Sequence, residues 1–343
     1  MGDVAASGGV RFSVMLPTFL DAASPSPYAR TFEFASLIDR LGYHMGTFGH
    51  HSFTRDIGDP SAPFALLSAV AQHTESLRLG TGVYLAGLHH PVTVAEQAAT
   101  LDQISGGRAV LGVGLGYRPY EYRGFGIDFH QRGSRLEESL SVIRDGWASG
   151  DFEFSGVHFD IPHLPVNPLC VQKPHVPILI GGSADAAIRR AARMGDGFFA
   201  LPQESLVVMR AQVDLYRQVC RELGREPYVC LMRNAWVAPT MEQVEVEWLP
   251  RMIQFHRTFA EARATRDDGV IERLLVGERF ALEEYIHARA IAGTPQRCIA
   301  EIKRWREAIA PDEFSLIFGG SDDQVRLSET VTLFANEVMA AFK

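Results

Sequence analysis

Eight short apolar runs alternate with longer amphipathic segments along most of this chain. The runs cover residues 11–17, 43–48, 77–85, 109–113, 176–180, 197–200, 228–237 and 313–318. Such an alternation is typical of repeated βα units around a parallel sheet. Eight units within 343 residues predict an α/β fold in which the strands close into a (β/α)8 TIM barrel.

The segments between the runs complete this pattern. Helices are predicted over residues 28–41, 63–74, 92–104, 134–148, 184–194, 205–223, 296–309 and 325–342. Two stretches exceed a minimal barrel: a β-hairpin at 151–174, after the fourth strand, and a helical insertion at 241–291, after the seventh. Neither insertion carries its own core pattern, so we expect one domain over residues 11–343, preceded by a disordered terminus at 1–10.

The overall composition excludes several classes of partner. The net charge is -8 and there is no long basic run, which argues against binding to nucleic acid. No apolar run approaches the roughly 20 residues that span a bilayer, and the first residues lack the features of a signal peptide. The four cysteines are widely spaced and predict reduced, structural thiols. We therefore expect a cytoplasmic protein that acts on a small-molecule substrate.

A glycine-rich segment ends the fourth apolar run. Residues 111–116 read LGVGLG, but the dinucleotide template G-x-G-x-x-G would need glycine where Tyr117 stands, and no helix follows directly. This argues against a Rossmann site. A glycine such as Gly114 at a strand end still lets a flat ring approach the backbone, although a tight turn explains it equally well.

A second glycine segment follows the fifth apolar run. Gly181 and Gly182 come directly after that strand, and Ser183 is predicted to open the next helix. Free backbone N–H groups and the positive end of the helix dipole form a natural binding site for phosphate. The Ser183 hydroxyl would be a further donor, while a plain capping role is the alternative. Both roles are compatible.

Two pairs of histidines end the second and third apolar runs. Neighbouring residues in an extended chain point to opposite sides, so His50 with His51, and His89 with His90, are poor chelates and no metal site is predicted. One imidazole of each pair can face the barrel mouth and transfer a proton near neutral pH. His50 is our candidate catalytic residue, with a structural histidine as the alternative.

The loop after the fourth run combines one acid with arginines and aromatic residues. We expect Glu121 to pair with Arg118 or Arg123, and a general-acid role is the alternative. Residues 132–138 predict the start of a helix with a salt-bridged surface. Aromatic residues at or near the strand ends are predicted to line a substrate pocket: Phe19, Phe48, Phe53, Tyr84, Tyr117 and Tyr120.

Several ordered motifs together resemble a known family. They include His90-Pro91, Glu96-Gln97, Ser105-Gly106-Gly107-Arg108, Glu121-Tyr122, Gln172-Lys173-Pro174, Gly181-Gly182-Ser183, Gly195-Asp196-Gly197 and Ile291-Ala292-Gly293-Thr294-Pro295. Over nearly the whole chain, this succession resembles the bacterial luciferase-like flavin-dependent monooxygenase superfamily.

The resemblance implies a TIM barrel that holds reduced FMN at its strand ends. A separate flavin reductase would supply the FMN, and oxygen and a small organic substrate would be the other reactants. The cofactor phosphate would bind at Gly182 and Ser183. An unusual cis peptide beneath the flavin ring would join Gly82 to Val83. The resemblance also implies a homodimer.

Two residues depart from the pattern of the family. Gly49 stands where an acid usually precedes the histidine after the second strand. Tyr117 stands where a deazaflavin-dependent branch carries an acid, which favours FMN over deazaflavin. Two alternatives remain open: a deazaflavin-dependent hydride-transfer dehydrogenase or reductase, and a flavin-binding barrel without catalytic activity.

Overall fold

The computed structural model describes residues 9–18, 25–53, 60–261, 269–319 and 323–343. Eleven strands lie in these residues: β1 (Arg11–Met15), β2 (Met45–Phe48), β3 (Arg78–Thr81), β4 (Ala109–Val113), β5 (Asp151–Ser155), β6 (Asp160–Pro165), β7 (Ile178–Gly181), β8 (Gly197–Ala200), β9 (Val229–Val237), β10 (Ile291–Gly293) and β11 (Glu313–Ile317).

Eight of these strands form a closed parallel barrel. The order is β9-β11-β1-β2-β3-β4-β7-β8, and β8 pairs with β9 to close the ring. These are the eight strands that the sequence predicts, and the TIM barrel is therefore confirmed. The third strand is shorter than predicted, since it ends at Thr81 and only a single bridge joins Tyr84 to Val113 beyond it.

Helices surround this barrel. Within the described residues they are α1 (Ala29–Arg40), α2 (Pro63–Ala71), α3 (Pro91–Ile104), α4 (Pro119–Gly124), α5 (Arg132–Ser149), α6 (Asp185–Met194), α7 (Leu206–Glu222), α8 (Met241–Glu261), α9 (Val270–Leu275), α10 (Arg279–Arg289), α11 (Pro295–Ile309) and α12 (Gln324–Leu333). All eight predicted helices are present, and α4 is an addition that the sequence analysis did not predict.

The buried side chains form two layers on opposite sides of the strands. A small cluster fills the barrel: Met45, Val110, Leu179, Phe199, Cys230 and Met232. Their neighbours in sequence, such as Leu231, belong to a larger core between the strands and the helices. This alternation follows from the two-residue period of a strand and explains why both faces of each strand are apolar. All four cysteines are buried and unpaired by disulfides.

Both predicted insertions have the predicted secondary structure. β5 and β6 form an antiparallel hairpin between β4 and β7 of the barrel. Helices α8, α9 and α10 follow β9, and the short strand β10 then pairs with the end of that strand. Sequence analysis missed β10 because three residues are too few for a periodic pattern.

The carboxyl-terminal helix is less regular than predicted. α12 ends at Leu333, a π-helical turn follows at Phe334–Val338, and a 3-10 turn at Met339–Phe342. Phe334 and Phe342 both contact the ring of Phe12 on β1, with centroids 5.7 and 5.9 Å away. The change of pitch thus brings two aromatic side chains against one strand. At the other terminus, residues 1–8 of the predicted disordered segment lie outside the described residues.

None of the helices in the described residues is long and apolar enough to cross a membrane. No group of three or more His, Cys, Asp or Glu side chains in that part of the chain is arranged to hold a metal ion.

Candidate functional site

The carboxyl ends of the barrel strands define the candidate active site. Parallel strands present these ends at one mouth of the barrel, and the segments that follow them come together there. The segments after β2, β3, β4 and β7 contain the histidine pairs and the glycines that the sequence analysis singled out.

Val83 occupies the space between three neighbouring strand ends. The peptide between Gly82 and Val83 is cis, as the resemblance implied. A Cβ atom added to Gly114 would lie 2.6 Å from Val83 Cγ2, and one added to Gly181 would lie 3.1 Å from Val83 Cγ1. Gly114 therefore has a packing function, because any side chain there would overlap with Val83. A side chain at Gly181 would be in tight contact with the other methyl group of Val83. Contact with a cofactor ring stays a prediction.

The glycine pair after β7 leads into α6, but the helix begins later than predicted. Its N-cap is Ala184, with φ -81° and ψ 148°, and the first helical residue is Asp185. The prediction that Ser183 opens the helix is wrong, because Ala184 takes the extended conformation of an N-cap. The Ser183 carbonyl accepts a hydrogen bond of 2.8 Å from Gln212 Nε2 on α7. This bond fixes the backbone just before the helix.

His50 lies in a stack of rings just beyond β2. Its residue exposure is 2%, and its ring lies 4.4 Å from that of Tyr84 and 5.3 Å from that of His89. Burial and then the neighbouring His89 and His51 lower the pKa of His50 to about 3, although the Ser61 carbonyl opposes the shift. His50 is therefore neutral at physiological pH.

The hydrogen bond at one ring nitrogen fixes the tautomer of His50. Its Nδ1 accepts the backbone N–H of Leu85 at 3.2 Å, so the proton of the neutral ring is on Nε2. Nε2 is buried and completes no hydrogen bond of regular geometry with the described residues, although the Ser61 carbonyl lies near enough to raise the pKa of the ring. A buried N–H donor without a partner is rare in folded proteins and is available to a ligand.

His51 contacts Glu121, which lies on the short helix α4 in the segment after β4. Nδ1 of His51 is 3.1 Å from Oε1 of Glu121, and the same oxygen accepts the backbone N–H of Ser52 at 2.8 Å. Glu121 is fully buried, whereas 12% of the His51 side chain is exposed. The predicted pairing of Glu121 with Arg118 or Arg123 is therefore wrong. The segment after β4 turns Glu121 inward, toward the end of β2.

Arg118 contacts two phenols. Its Nη1 donates to the Tyr120 hydroxyl and its Nη2 donates to the Tyr117 hydroxyl, each at 3.0 Å. The guanidinium carbon also lies 5.1 Å from the centre of the Tyr117 ring. The Tyr117 ring in turn contacts that of His51, with centroids 5.6 Å apart. Arg118 thus belongs to the same side of the mouth as the pair of His51 and Glu121.

The predicted pocket residues lie in different surroundings. Tyr84 is buried against His50, while Tyr120 is partly exposed beside Arg118. Phe53 is 64% exposed, has a φ of 62°, and its ring lies 5.3 Å from that of Phe125. Phe48 is fully buried in the core between strands and helices, so we leave it out of the proposed pocket. Phe19 lies outside the described residues.

The predicted salt-bridged surface at 132–138 is present. Arg190 of α6 pairs with Glu137 of α5 at 2.9 Å, and Arg193 pairs with the same carboxylate. Of the residues at the mouth, sequence reasoning missed the contacts of Glu121 and the position of Arg118. Glu121 and His51 are 70 positions apart, so no local pattern announces their contact.

Comparisons with known proteins identify the family. A sequence profile described as luciferase-like monooxygenase matches residues 10–311. The oxygenase component of the flavin-dependent trigonelline monooxygenase of Acinetobacter baylyi is 27% identical over 328 residues, which are 92% of this chain and 90% of that protein. Protein y4wF of Sinorhizobium fredii is 35% identical over 190 residues, and the match spans only 55% of either chain.

A solved structure agrees with these relatives. The monooxygenase RslO1 of Streptomyces bottropensis superposes with a TM-score of 0.82 and 25% identity, covering 97% of this chain and all of that one. The predicted family and its enzyme class, a luciferase-like monooxygenase, are confirmed. With a profile match over most of its length and the barrel that its sequence predicts, the chain belongs to the luciferase-like monooxygenase family.

Proposed function

We propose that this protein is the oxygenase component of a two-component monooxygenase that uses reduced FMN and oxygen on a small organic substrate. A separate flavin reductase would supply the reduced FMN as a transient partner. The relative from Acinetobacter baylyi is named as an oxygenase component and as flavin-dependent, and it matches over most of both chains. That similarity supports the proposal for this chain.

The observation that carries the proposal is the buried, neutral imidazole of His50, whose Nε2 completes no hydrogen bond of regular geometry with the described residues. An N–H group at a barrel mouth suits the carbonyl and ring nitrogen atoms of a flavin or the polar group of a substrate. His50 is thus our catalytic residue, acting as a neutral hydrogen-bond donor. Its lowered pKa argues against a role as a positively charged acid.

The residues at the mouth fit an FMN. Gly82, Val83, Gly114 and Gly181 offer backbone and small side-chain surface to a flat ring. Gly182, Ser183 and the first turn of α6 offer N–H groups and a hydroxyl to a phosphate. When bound, reduced FMN supplies the electrons that activate oxygen. The aromatic residues Tyr84, Tyr117, Tyr120 and Phe53 would exclude water around the reacting groups and line the substrate pocket.

Binding under nitrogen tests the cofactor. The purified protein is titrated with reduced FMN and, separately, with a reduced deazaflavin cofactor, and the affinities are compared. We expect reduced FMN to bind more tightly and, once oxygen is admitted, oxygen uptake to require FMN. Tight deazaflavin binding and its oxidation or reduction without oxygen would instead support the alternative of a hydride-transfer enzyme. Flavin binding without turnover on any substrate would support a non-catalytic barrel.

A carboxylate in place of Ser183 tests the phosphate site. Ser183→Asp puts a negative charge beside the proposed phosphate, so we expect FMN affinity to fall by about tenfold or more while riboflavin affinity changes little. Ser205→Asp is the matched control, because Ser205 caps α7 at the same end of the barrel. Unchanged FMN affinity in Ser183→Asp would remove the assignment of Gly182 and Ser183.

Two further expectations belong to the proposal. We propose that the protein forms a homodimer, which light scattering after size-exclusion chromatography measures directly. We also propose that it acts in the cytoplasm, where a reductase can supply reduced FMN. Fractionation of cells that express the full chain tests this location.

A further inference from the structure

Arg118 is a buried cation whose partners among the described residues are two phenols. The residue is 7% exposed and lies at the barrel mouth, directly after Tyr117. Its hydrogen bonds within the described part of the chain go to the hydroxyl groups of Tyr117 and Tyr120. No Asp or Glu among the described residues forms an ion pair with it, since Glu121 contacts His51 instead.

Among the other buried arginines, Arg190 has an acidic partner, whereas Arg233 donates to the backbone carbonyl of Leu201. Arg190 is buried to a similar extent, 6% exposed, and it pairs with the carboxylate of Glu137 at 2.9 Å. Buried arginines normally have such a partner, because removing a charge from water is costly unless an opposite charge compensates it. Arg118 lacks that compensation, although it is held in place by two hydrogen bonds and two aromatic rings.

The guanidinium retains binding capacity. Arginine has five N–H donors, and the two bonds to phenols use two of them. A planar guanidinium fits a carboxylate or sulfonate with two parallel hydrogen bonds. The two phenols hold Arg118 in one orientation before a ligand arrives, which reduces the entropy lost on binding.

We propose that Arg118 binds an anionic group of the substrate, a carboxylate or a sulfonate, and that Tyr117 and Tyr120 orient the guanidinium for it. This inference rests on the proposed function and names the class of its substrate. The Tyr117 ring contacts both Arg118 and His51, so the anionic group would lie beside the pair of His51 and Glu121. The exposed ring of Phe53, next to Phe125, offers an apolar surface to the rest of the molecule.

Small aromatic probes test the proposal. Benzoate and benzenesulfonate carry the anionic group, and benzamide is the neutral analogue of benzoate. Their binding to the full-length protein loaded with FMN is measured by calorimetry under nitrogen. We expect both anions to bind more tightly than benzamide, and their affinity to fall as salt is raised. In Arg118→Gln, we expect the affinity for the anions to fall by about tenfold or more while that for benzamide stays within about twofold.

Three control measurements make the result specific. Arg123→Gln removes an exposed arginine on α4, the helix that begins directly after Arg118, and we expect no change in the affinity for the anions. Arg118→Lys keeps the charge but loses the two-pronged geometry, so we expect partial retention of anion binding. FMN and riboflavin affinities of Arg118→Gln are measured together with its melting temperature, to separate a substrate role from a cofactor role and from misfolding.

The outcomes separate the proposals. Equal binding of the anions by the wild type and Arg118→Gln, or no preference of the wild type for anions over benzamide, would overturn the inference. A loss of FMN affinity in Arg118→Gln without a loss of riboflavin affinity would assign Arg118 to the cofactor phosphate and also overturn it. If the unloaded wild type prefers the anions through Arg118 but binds no flavin, the proposed function fails and the inference about Arg118 survives.

Discussion

Oε1 of Glu121 lies 3.1 Å from Nδ1 of His51 and 2.8 Å from the backbone nitrogen of Ser52. One carboxylate oxygen thereby joins the loop after β2 to the loop after β4, across 70 positions of sequence. The carboxylate is fully buried, and its second oxygen has no partner within the described residues. Glu121 therefore contributes to the orientation of the His51 ring.

Glu121→Gln should weaken this connection without removing it. The amide oxygen can still accept the Ser52 N–H, but the stronger hydrogen bonds to a charged acceptor are lost. We expect the free energy of unfolding to fall by about 1–3 kcal/mol, measured by urea denaturation. Monooxygenase turnover should fall by about tenfold, because His51, which lies beside the proposed substrate site, is then held less firmly.

The control for this variant is Glu153→Gln, which changes an exposed glutamate on β5. It should leave both stability and turnover unchanged. Glu121→Gln with wild-type stability would show that the carboxylate does not hold the two loops together.

The buried His50 should make the stability of the protein depend on pH. An unfolded chain protonates this histidine near pH 6.5, whereas the folded protein resists protonation until about pH 3. The unfolded state thus binds more protons in this window, and the free energy of unfolding decreases as the pH falls. Between pH 6.5 and 5, His50 should account for a loss of about 2 kcal/mol.

Chemical denaturation at several pH values measures this effect. His50→Gln should show a shallower dependence on pH than the wild type between pH 6.5 and 5, whatever its absolute stability. His130→Gln, which changes an exposed histidine, serves as the control and should retain the wild-type slope. Parallel curves for the wild type and His50→Gln would contradict the lowered pKa.

The barrel was predictable from sequence, whereas most contacts of the site were not. A two-residue period in the strands and a longer period in the helices are local signals, and they gave all eight barrel strands. The contact between Glu121 and His51 depends on how two distant loops fold over the mouth. Closeness in sequence instead suggested Arg118 or Arg123 as the partner of Glu121. The start of α6 was misplaced for a related reason, since the backbone angles of Ala184 are not encoded in its side chain.

Gly114 offers a test of whether packing alone requires a glycine at the end of β4. A methyl group there would lie 2.6 Å from Val83 Cγ2, well inside van der Waals contact. Gly114→Ala should therefore reduce the free energy of unfolding by about 1–3 kcal/mol. A second substitution, Val83→Ala, removes the overlapping methyl groups. It should therefore lower the free energy of unfolding less in the Gly114→Ala background than in the wild type.

Thermal or urea unfolding of the wild type, both single variants and the double variant gives this coupling energy. Additive effects would mean that Val83 is not what excludes a side chain at Gly114. FMN affinity is measured on the same four proteins. A loss of affinity that persists in the double variant would favour direct contact of the cofactor with Gly114, in addition to packing.

A buried carboxylate at the opposite end of the barrel should set the acid limit of stability. Glu313, at the start of β11, interacts with Ser13, His44 and Tyr228 and is 1% exposed. Burial alone would raise its pKa, but His44, Tyr228 and Arg11 together lower the pKa below the usual 4.5. The ionised carboxylate of Glu313 therefore stabilises the folded protein above pH 4.5. This stabilisation is lost as the pH falls through the lower pKa that Glu313 has in the folded protein.

Glu313→Gln should destabilise the protein at pH 7 by about 3–5 kcal/mol, because it leaves the neighbouring polar and cationic groups without a charged partner. Below pH 4.5 the difference in free energy of unfolding between the variant and the wild type should become smaller, since the protonated carboxyl group then resembles the amide. The control Glu226→Gln, at an exposed position between α7 and β9, should have the stability of the wild type at every pH measured. A difference that stays constant from pH 7 into the acid range would mean that the charge of Glu313 is not the source of its stabilising effect.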